Sequence, residues 1–331
     1  MLSVIIPVLD EADSLPQLVR ELDRVAETHS YDLQIIVVDD GSRDATWATI
    51  CQLAADDPRI LGIRFRRNFG KAAALSAGFQ AAEGDRIVTI DGDLQDNPAE
   101  IAALLAKLDE GYDVVSGWKR VRHDPWQKVL PSRVFNWLVS AMTGVHLHDH
   151  NCGLKAFRRE VMHEIRLYGE LHRFVPVLAA AKGFRTAEVV VQHRPRKFGL
   201  SKYGVSRLSK GLLDLITVKF LIGYGQRPQH LLGTVGLIAF LFGGLGMLVL
   251  AIRWSLSRMI EGWPDIHLHQ TASLYYAVGL FIIGAQFMSI GLLGEMIAAY
   301  LVRDTDTYSI AEHTAPNASP AKPHVQSSET P

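Results

Sequence analysis

The residues of this 331-residue chain best suited to chemistry lie in an acidic turn after a strand-like apolar run. Asp91 and Asp93 flank a glycine, so their carboxylates can converge on one hard cation, and Gln95 can add a neutral oxygen. A Mg²⁺ or Mn²⁺ ion held by so few protein ligands keeps coordination positions for substrate phosphates. The spacing therefore predicts a divalent-metal site; the alternative is a solvated acidic turn.

A second pair of carboxylates ends an earlier apolar run. Asp39 and Asp40 precede Gly41, and such acids can accept hydrogen bonds from a base or a ribose. Ser42 and Asp44 would serve equally well as helix caps, so this motif alone leaves both interpretations open.

Basic side chains that could neutralise a diphosphate come later in the chain. Arg196, Lys197 and Lys202 lie in a glycine-containing segment that predicts a diphosphate clamp. Attraction to anionic lipid is the alternative, and both can hold at once. A further basic cluster occupies residues 117–122 and continues with Arg133.

Three alternating histidines suggest a different chemistry. On a strand, His146, His148 and His150 would share one face and could bind zinc, although no further ligand pattern accompanies them. The chain contains no G-x-x-x-x-G-K-[ST] motif, which disfavours a P-loop NTPase. Residues 9–14 contain no glycine, which disfavours a dinucleotide-binding dehydrogenase.

The elements that must position these residues alternate between strand and helix. Strand-like runs at residues 3–8, 34–38, 86–90 and 113–116 alternate with helical stretches at 15–27, 45–55, 71–82 and 98–108. This order predicts an α/β fold with a parallel sheet covered on both faces. Ligands of such sheets bind beyond the carboxyl ends of the strands, where both acidic motifs fall.

The C-terminal third is typical of a membrane protein. Residues 231–252 and 271–294 are uncharged apolar runs, each long enough to cross a hydrocarbon core of about 30 Å as a helix. Two buried helices of a soluble core are the alternative, but those usually carry a polar stripe. Residues 206–224 mix apolar and basic side chains, as in a helix at the membrane interface; an ordinary surface helix is the alternative.

Composition excludes several classes of protein. The net charge of −1 gives no general attraction to nucleic acid, although residues 182–227 carry ten basic and two acidic side chains. Two isolated cysteines argue against a disulfide-stapled secreted domain and favour a reducing compartment. The first residues lack the basic region of a signal peptide. The proline-containing segment 313–331 is expected to be disordered.

Together these motifs resemble the inverting family-2 glycosyltransferases, and among them the bacterial polyprenyl-phosphate glycosyltransferases related to dolichol-phosphate mannose synthase. The matching segments are residues 5–8, 38–42, 67–71, 91–96, 149–158, 200–204, 284–287 and 291–295. They extend the resemblance over roughly residues 2–303, and the last two suggest the undecaprenyl-phosphate glucosyl and aminoarabinose transferase branch.

The resemblance implies a Rossmann-like catalytic domain and roles for named residues. Asp40 and Asp91 would contact the donor nucleoside, and Arg196 and Lys202 its diphosphate. The metal, Mg²⁺ or Mn²⁺, would be held by Asp91, Asp93 and Gln95.

The resemblance also implies an acceptor site. Arg120, Ser132 and Arg133 would hold the acceptor phosphate, and Asp149 would lie near the reacting centre. Asp93, Asp149 and Arg120 are then the expected catalytic residues.

The implied reaction transfers a sugar from a nucleoside diphosphate, expected to be UDP, to undecaprenyl phosphate, for cell-envelope glycan or lipopolysaccharide modification. A phosphate monoester has a second pKa near 6, so this nucleophile is already an anion at neutral pH. Asp149 is therefore expected to orient a substrate rather than serve as an obligatory base. Positioning and charge neutralisation remain for the protein, and direct displacement would invert the anomeric centre.

This interpretation predicts the organisation of the whole chain. The expected parts are a catalytic domain (1–200), an interfacial region (201–228), two membrane helices (229–303) and a disordered tail (304–331). A bacterial inner-membrane protein with a cytoplasmic catalytic domain follows, and a homo-oligomer is compatible with it.

Two other functions remain as alternatives. A processive polysaccharide synthase would carry Q-x-x-R-W, but Leu250 stands at the Gln position before Arg253 and Trp254, and two spans are few for an export channel. A non-catalytic scaffold or transporter accessory would tolerate loss of Asp91 or Asp93, and neither is lost.

Overall fold

The computed structural model describes residues 1–120, 126–165, 167–195, 206–225, 227–260, 264 and 267–301. Within them, seven strands form one sheet: β1 (Leu2–Val8), β2 (Leu33–Asp39), β3 (Ile60–Arg64), β4 (Arg86–Thr89), β5 (Val114–Trp118), β6 (Lys155–Arg158) and β7 (Thr186–Val190). Their order is β3-β2-β1-β4-β6-β5-β7, and among these strands β6 alone runs antiparallel to its neighbours. The predicted mostly parallel sheet is confirmed.

The same part of the chain forms ten α-helices. They are α1 (Leu15–His29), α2 (Thr46–Asp56), α3 (Lys71–Ala81), α4 (Ile101–Asp109), α5 (Trp126–Thr143), α6 (Arg159–Glu164), α7 (Val175–Ala181), α8 (Ser206–Tyr224), α9 (Pro228–Met259) and α10 (Ala272–Leu301). The helix predicted over residues 98–108 begins instead with the 3₁₀ turn Pro98–Glu100, which Asn97 caps by accepting from the Ala99 N–H.

Helices cover both faces of the sheet, as its continuous apolar strands require. Helices α1, α2 and α4 pack on one face, and α3, α6 and α7 pack on the other. Ile5 and Ile6 of β1 are both fully buried but belong to opposite faces, because successive side chains of a strand alternate. Burial on both faces fixes the register of the central strands, and so the positions of their carboxyl ends.

Three strands were not predicted from the sequence. β3 and β7 lie at the two edges of the sheet and are only partly buried, so their apolar pattern is weak. β6 has four residues, of which only Ala156 and Phe157 are apolar, too few for a periodic signal. Their positions depend on pairing with distant strands.

Helices α5 and α8 pack together on α7 and expose apolar side chains on their outer surface. Leu215 and Val218 of α8 are buried in this contact, whereas Leu213 of α8 is exposed. On α5, Val134 is exposed and Trp137 is 68% exposed. The helix predicted over residues 206–224 is thus confirmed, and its apolar side facing away from the protein continues onto α5.

The last two described helices, α9 and α10, are long and apolar enough to cross a membrane. The predicted run 231–252 lies within α9, and α10 includes all but the first residue of the run 271–294; both helices are longer than predicted. At about 1.5 Å per residue, the 32 residues of α9 extend roughly 48 Å. Their backbones touch at glycines, since a Cβ on Gly284 would lie 2.4 Å from the Phe240 backbone nitrogen. Such small-residue contacts are typical of packing between membrane helices.

Candidate active site

The acidic turn after β4, the start of the basic cluster after β5 and the loop before β6 meet at the carboxyl edge of the sheet. Strands β1, β2, β4, β5 and β7 all end at this edge, whereas the antiparallel strand β6 begins there. Lys155, its first residue, pairs with Thr89 at the end of β4 and with Ser116 of β5. The segments 91–96 and 149–153 are therefore brought together.

Asp40 lies directly after β2 and holds the loop before α3. Its carboxylate accepts hydrogen bonds from the backbone N–H groups of Phe69, at 2.7 Å, and Gly70, at 3.0 Å. Burial raises the pKa of Asp40, although these two donors oppose the shift. Gly41 adopts a φ of +78° where a Cβ would lie 2.5 Å from the Arg67 backbone, so this turn requires glycine.

Asp91 lies one residue after Ile90, which follows β4, and forms an ion pair with Lys71, the first residue of α3. Burial alone would raise its pKa, but the ammonium groups of Lys71, Lys119 and Lys155 lower the pKa of Asp91 to about 2. The backbone of Gly153 lies against the carboxylate, because a Cβ there would come within 2.4 Å of its oxygen. Asp91 is thus an ionised carboxylate held between a lysine and a glycine.

The rest of the acidic turn is nearly closed to solvent. Asp93 is buried, and its Oδ1 accepts a hydrogen bond from the Gln95 backbone N–H at 3.2 Å. Asp96 is 1% exposed and pairs with the Lys119 ammonium at 2.6 Å. Burial raises the pKa of Asp96 despite this pairing.

The acidic turn fits a divalent cation whose coordination shell is completed by the substrate. Among the described residues, no three His, Cys, Asp or Glu side chains form a self-sufficient metal site. Mg²⁺, however, is usually bound by one or two carboxylates together with substrate phosphates. Asp91 and Asp93 are the residues that would supply such carboxylates, Gln95 would add an amide oxygen, and Asp91 already binds one cation, the Lys71 ammonium.

Asp149 begins the buried loop that leads into β6. Its side chain is enclosed, and its Oδ1 accepts a hydrogen bond from the Asn151 backbone N–H at 3.0 Å. Its carbonyl oxygen accepts from the Ser116 hydroxyl at 3.3 Å. The first contact holds the carboxylate, and the second holds the backbone of the same residue against β5.

The zinc hypothesis is wrong, because the three histidines do not lie on a strand. His150 is buried with its Nε2 3.3 Å from the Ser140 hydroxyl oxygen. His148 instead stacks on Trp118, with ring centroids 4.0 Å apart, and contacts the Glu188 carboxylate. Burial, assisted by Lys155, lowers the pKa of His150 to about 4.

Two of the three candidate acceptor residues lie on α5, the helix that exposes apolar side chains. Arg120 is exposed just after β5, and Ser132 and Arg133 are in α5, close to Trp137 in sequence. Arg196 and Lys202, predicted to contact the diphosphate, lie outside the described residues, as does the tail 304–331.

Several residues of this edge escaped sequence reasoning. Lys71, Lys155 and His172 line a cavity of about 20 Å³ beside Asp91, a size suited to one water molecule. Burial, together with Lys71, lowers the pKa of His172 to about 2, so its ring is neutral. Lys71 and Lys155 had a signal in the sequence, since they lie in the matching segments 67–71 and 149–158, but no role was assigned to either.

Comparison with known proteins places this site in a family. The model described as Glycosyl transferase family 2 matches residues 3–166. The chain is 36% identical over 308 residues to the dodecaprenyl-phosphate galacturonate synthase of Rhizobium johnstonii, covering 92% of this chain and 89% of the relative. It is 37% identical to the undecaprenyl-phosphate 4-deoxy-4-formamido-L-arabinose transferase of an Enterobacter species, covering 89% and 87%.

Solved structures show the same fold. Glucosyl-3-phosphoglycerate synthase from Mycobacterium tuberculosis, in complex with Mn²⁺, uridine diphosphate and phosphoglyceric acid, superposes with a TM-score of 0.52 at 20% identity, covering 67% of this chain and 78% of that one. A mycobacterial protein superposes with a TM-score of 0.50 at 22% identity, covering 67% and 74%.

Proposed function

The chain belongs to glycosyl transferase family 2, and from this premise we propose that it transfers a sugar from a nucleoside-diphosphate sugar, with UDP as the nucleoside diphosphate, to undecaprenyl phosphate. The observation that carries this proposal is the extent of the similarity: relatives named as polyprenyl-phosphate sugar transferases match about nine-tenths of the chain, well beyond the sheet. The chain is accordingly a glycosyltransferase and a membrane protein.

The reaction is a single displacement at the anomeric carbon. An oxygen of the acceptor phosphate forms a bond to that carbon, while the bond from the carbon to the donor diphosphate breaks and its electrons leave with the nucleoside diphosphate. Attack from the side opposite the leaving group inverts the anomeric centre. The acceptor phosphate is already ionised at neutral pH, because its second pKa is near 6, so no proton has to be removed first.

The chain's own residues bind and orient the donor. We assign Asp40 and Asp91 to the nucleoside, and Arg196 and Lys202 to the diphosphate. Asp40 lies where β2 ends and Asp91 just beyond the end of β4, which supports this assignment because ligands of such sheets bind there. Asp149, enclosed and hydrogen-bonded, orients the reacting groups.

We assign Asp91, Asp93 and Gln95 to a Mg²⁺ or Mn²⁺ ion. When bound, such an ion supplies positive charge that stabilises the departing diphosphate. The ionised state of Asp91 supports this role, since a metal needs deprotonated ligands.

The acceptor is held at the membrane surface. We assign its phosphate to Arg120, Ser132 and Arg133, which lie just after β5 and on α5. The exposed apolar side chains of α5 and α8 support this placement, because they can enter the lipid beside the headgroups. The polyprenyl chain then stays in the bilayer while its phosphate reaches the sheet edge.

The architecture favours an inner-membrane protein that crosses twice. The catalytic domain (1–200) and the interfacial region (201–228) face the cytoplasm, and residues 253–270 face the periplasm, since the basic segment before α9 outweighs Arg253 and Arg258. Nucleic acid is not a partner in this scheme, and a homo-oligomer is compatible with it. A processive synthase remains the second candidate, but the described part of the chain contains two membrane-capable helices.

Lipid product analysis tests the function. The full-length protein in detergent is incubated with undecaprenyl phosphate, Mg²⁺ or Mn²⁺ and UDP-activated glucose, galacturonate or formamido-arabinose, the last two taken from the relatives' names. We expect one sugar to appear by mass spectrometry on the lipid phosphate, with one nucleoside diphosphate released per sugar. A sugar polymer would support the synthase instead. Donor hydrolysis without a lipid product, or no reaction with any of these donors, would contradict the proposal.

A further inference from the structure

Lys155 is a buried lysine at the candidate active site that the proposed reaction does not yet use. It is 5% exposed, and its ammonium donates a hydrogen bond to the carbonyl oxygen of Cys152. Within the described part of the chain it forms no ion pair with a carboxylate. Because a buried charge without a paired partner is costly, its presence needs a reason.

The loop that Lys155 holds is fastened by side chains along most of its length. Within residues 149–153, carbonyl groups accept hydrogen bonds from side chains: Asp149 from Ser116, Cys152 from Lys155 and Gly153 from Thr89. The two residues before the loop are held in the same way, Leu147 by Ser140 and His148 by Asn136. Among these donors Lys155 alone is charged. The other carbonyl groups accept from neutral hydroxyl or amide groups. A charged donor is therefore not required to satisfy a carbonyl here, and the ammonium of Lys155 needs a further explanation.

The position of the loop matters because it carries two parts of the site. Asp149 begins it, and Gly153 near its end supports the Asp91 carboxylate, leaving no space even for a methyl group. Lys155 bonds the residue just before Gly153. A charge-assisted hydrogen bond is roughly twice as strong as a neutral one, so it holds this end of the loop most firmly.

The surrounding charges explain how Lys155 remains buried. Burial lowers the pKa of Lys155 and the Lys71 ammonium adds to this shift, while the nearby Asp149 and Asp91 oppose it and favour the ammonium. The same two carboxylates belong to the site that binds substrate. The lysine and the acidic groups therefore stabilise one another across the loop.

We propose that Lys155 is a positioning residue of the transfer reaction: its ammonium fixes the loop 149–153, so that Gly153 supports Asp91 and Asp149 faces the reacting centre. The expected effect on turnover rests on the proposed function, whereas the statement that Lys155 holds the loop does not. In this scheme Lys155 contacts neither substrate, so its removal should lower kcat much more than it changes either KM.

Cys152 provides a direct probe of the loop. It is buried, whereas Cys51, the other cysteine of the chain, is exposed, so a Cys51→Ser background leaves one thiol to label. In that background we expect Cys152 to react slowly with a maleimide. Lys155→Met should speed the labelling at least tenfold and lower kcat at least thirtyfold, with both KM values within about threefold.

Arg158 gives a matched control on the same strand. It too donates to backbone carbonyls, those of Leu108 and Tyr112, but at the opposite end of β6 from the site. Arg158→Met should lower the unfolding midpoint as a structural substitution does, yet leave Cys152 protected and kcat within threefold. Lys155→Arg, which keeps charge and donors, should restore protection and at least a tenth of wild-type kcat.

The outcomes separate the inference from the proposed function. Protected Cys152 in Lys155→Met, or a labelled Cys152 with kcat unchanged, would overturn the positioning role. If Lys155→Met folds poorly, Lys155→Gln is judged by the same two measurements. A wild-type protein that forms no lipid-linked sugar would contradict the proposed function, while the labelling rates would still decide whether Lys155 holds the loop.

Discussion

The sheet edge encloses charged side chains, whereas the two long C-terminal helices expose apolar ones. At the edge, charged groups such as Asp96 and Lys119 are enclosed by protein and paired. In α9 and α10, large apolar groups such as Phe242 and Tyr276 point outward, 67% and 74% exposed. The edge is thus stabilised within the chain, whereas the helices require an apolar surrounding. Substitutions at the edge should lower kcat, whereas substitutions between the helices should lower the unfolding midpoint.

The largest expected effect comes from Asp93→Asn. The amide keeps the size of the side chain and can still accept from the Gln95 N–H, so folding and membrane binding should persist. Loss of the negative charge should lower kcat more than a hundredfold, equivalent to about 3 kcal/mol of transition-state stabilisation. Product formation with and without excess EDTA checks this. Full turnover in EDTA, or ordinary activity of the variant, would show that the acidic turn is merely structural.

Acidification should lower the stability of the folded protein because His150 is buried in its neutral form. The folded pKa of His150 is about 4 because burial disfavours its charged form, whereas an unfolded histidine titrates near 6.5. As pH falls from 6.5 to 4, the unfolded chain binds a proton that the folded protein rejects, so stability decreases. His150→Gln should remove up to about 3 kcal/mol of this loss at pH 4. Unfolding midpoints at pH 7 and pH 4.5 measure it.

If the unfolding midpoint fell equally with pH in His150→Gln and in the wild type, the acid-sensitive group would be another residue. His172 is the next candidate, since its folded pKa is lowered even further, to about 2. Its loss of stability has the same sign and extends to lower pH.

Gly284→Leu tests the helix pair. A side chain there would meet the Phe240 backbone, so α9 and α10 must separate, at a cost of roughly 2 kcal/mol. Thermal unfolding in detergent should show a lower midpoint, with the donor KM unchanged within twofold. Gly279→Leu is the control on the same helix, because nothing lies within 4 Å of its Cβ position. Equal destabilisation by both variants would argue against the close contact.

The smallest effects should separate the two substrates. Arg120→Ala should weaken acceptor use about tenfold and leave donor use unchanged, whereas Lys202→Ala should do the reverse; tenfold corresponds to about 1.4 kcal/mol. Separate titrations of the sugar nucleotide and of undecaprenyl phosphate check this division. A change confined to the donor in Arg120→Ala would contradict the acceptor assignment.

Much of the architecture was predictable because it depends on local pattern. The alternation of apolar runs and helical stretches predicts β1, β2, β4 and β5, and the long uncharged runs predict α9 and α10. The acidic turn was predictable for the same reason, because residues 91–96 are neighbours in the chain.

What the sequence by itself determined is therefore part of the set of elements, namely β1, β2, β4, β5, α1 to α4 and α8 to α10, together with the acidic residues that follow β2 and β4. Only the tertiary structure decided how distant charges pair: Lys71 with Asp91, and Lys119 with Asp96. It also decided that β6 runs antiparallel between β4 and β5. The physical reason is that burial and pairing depend on which segments meet across the sheet, whereas periodicity records only neighbours along the chain.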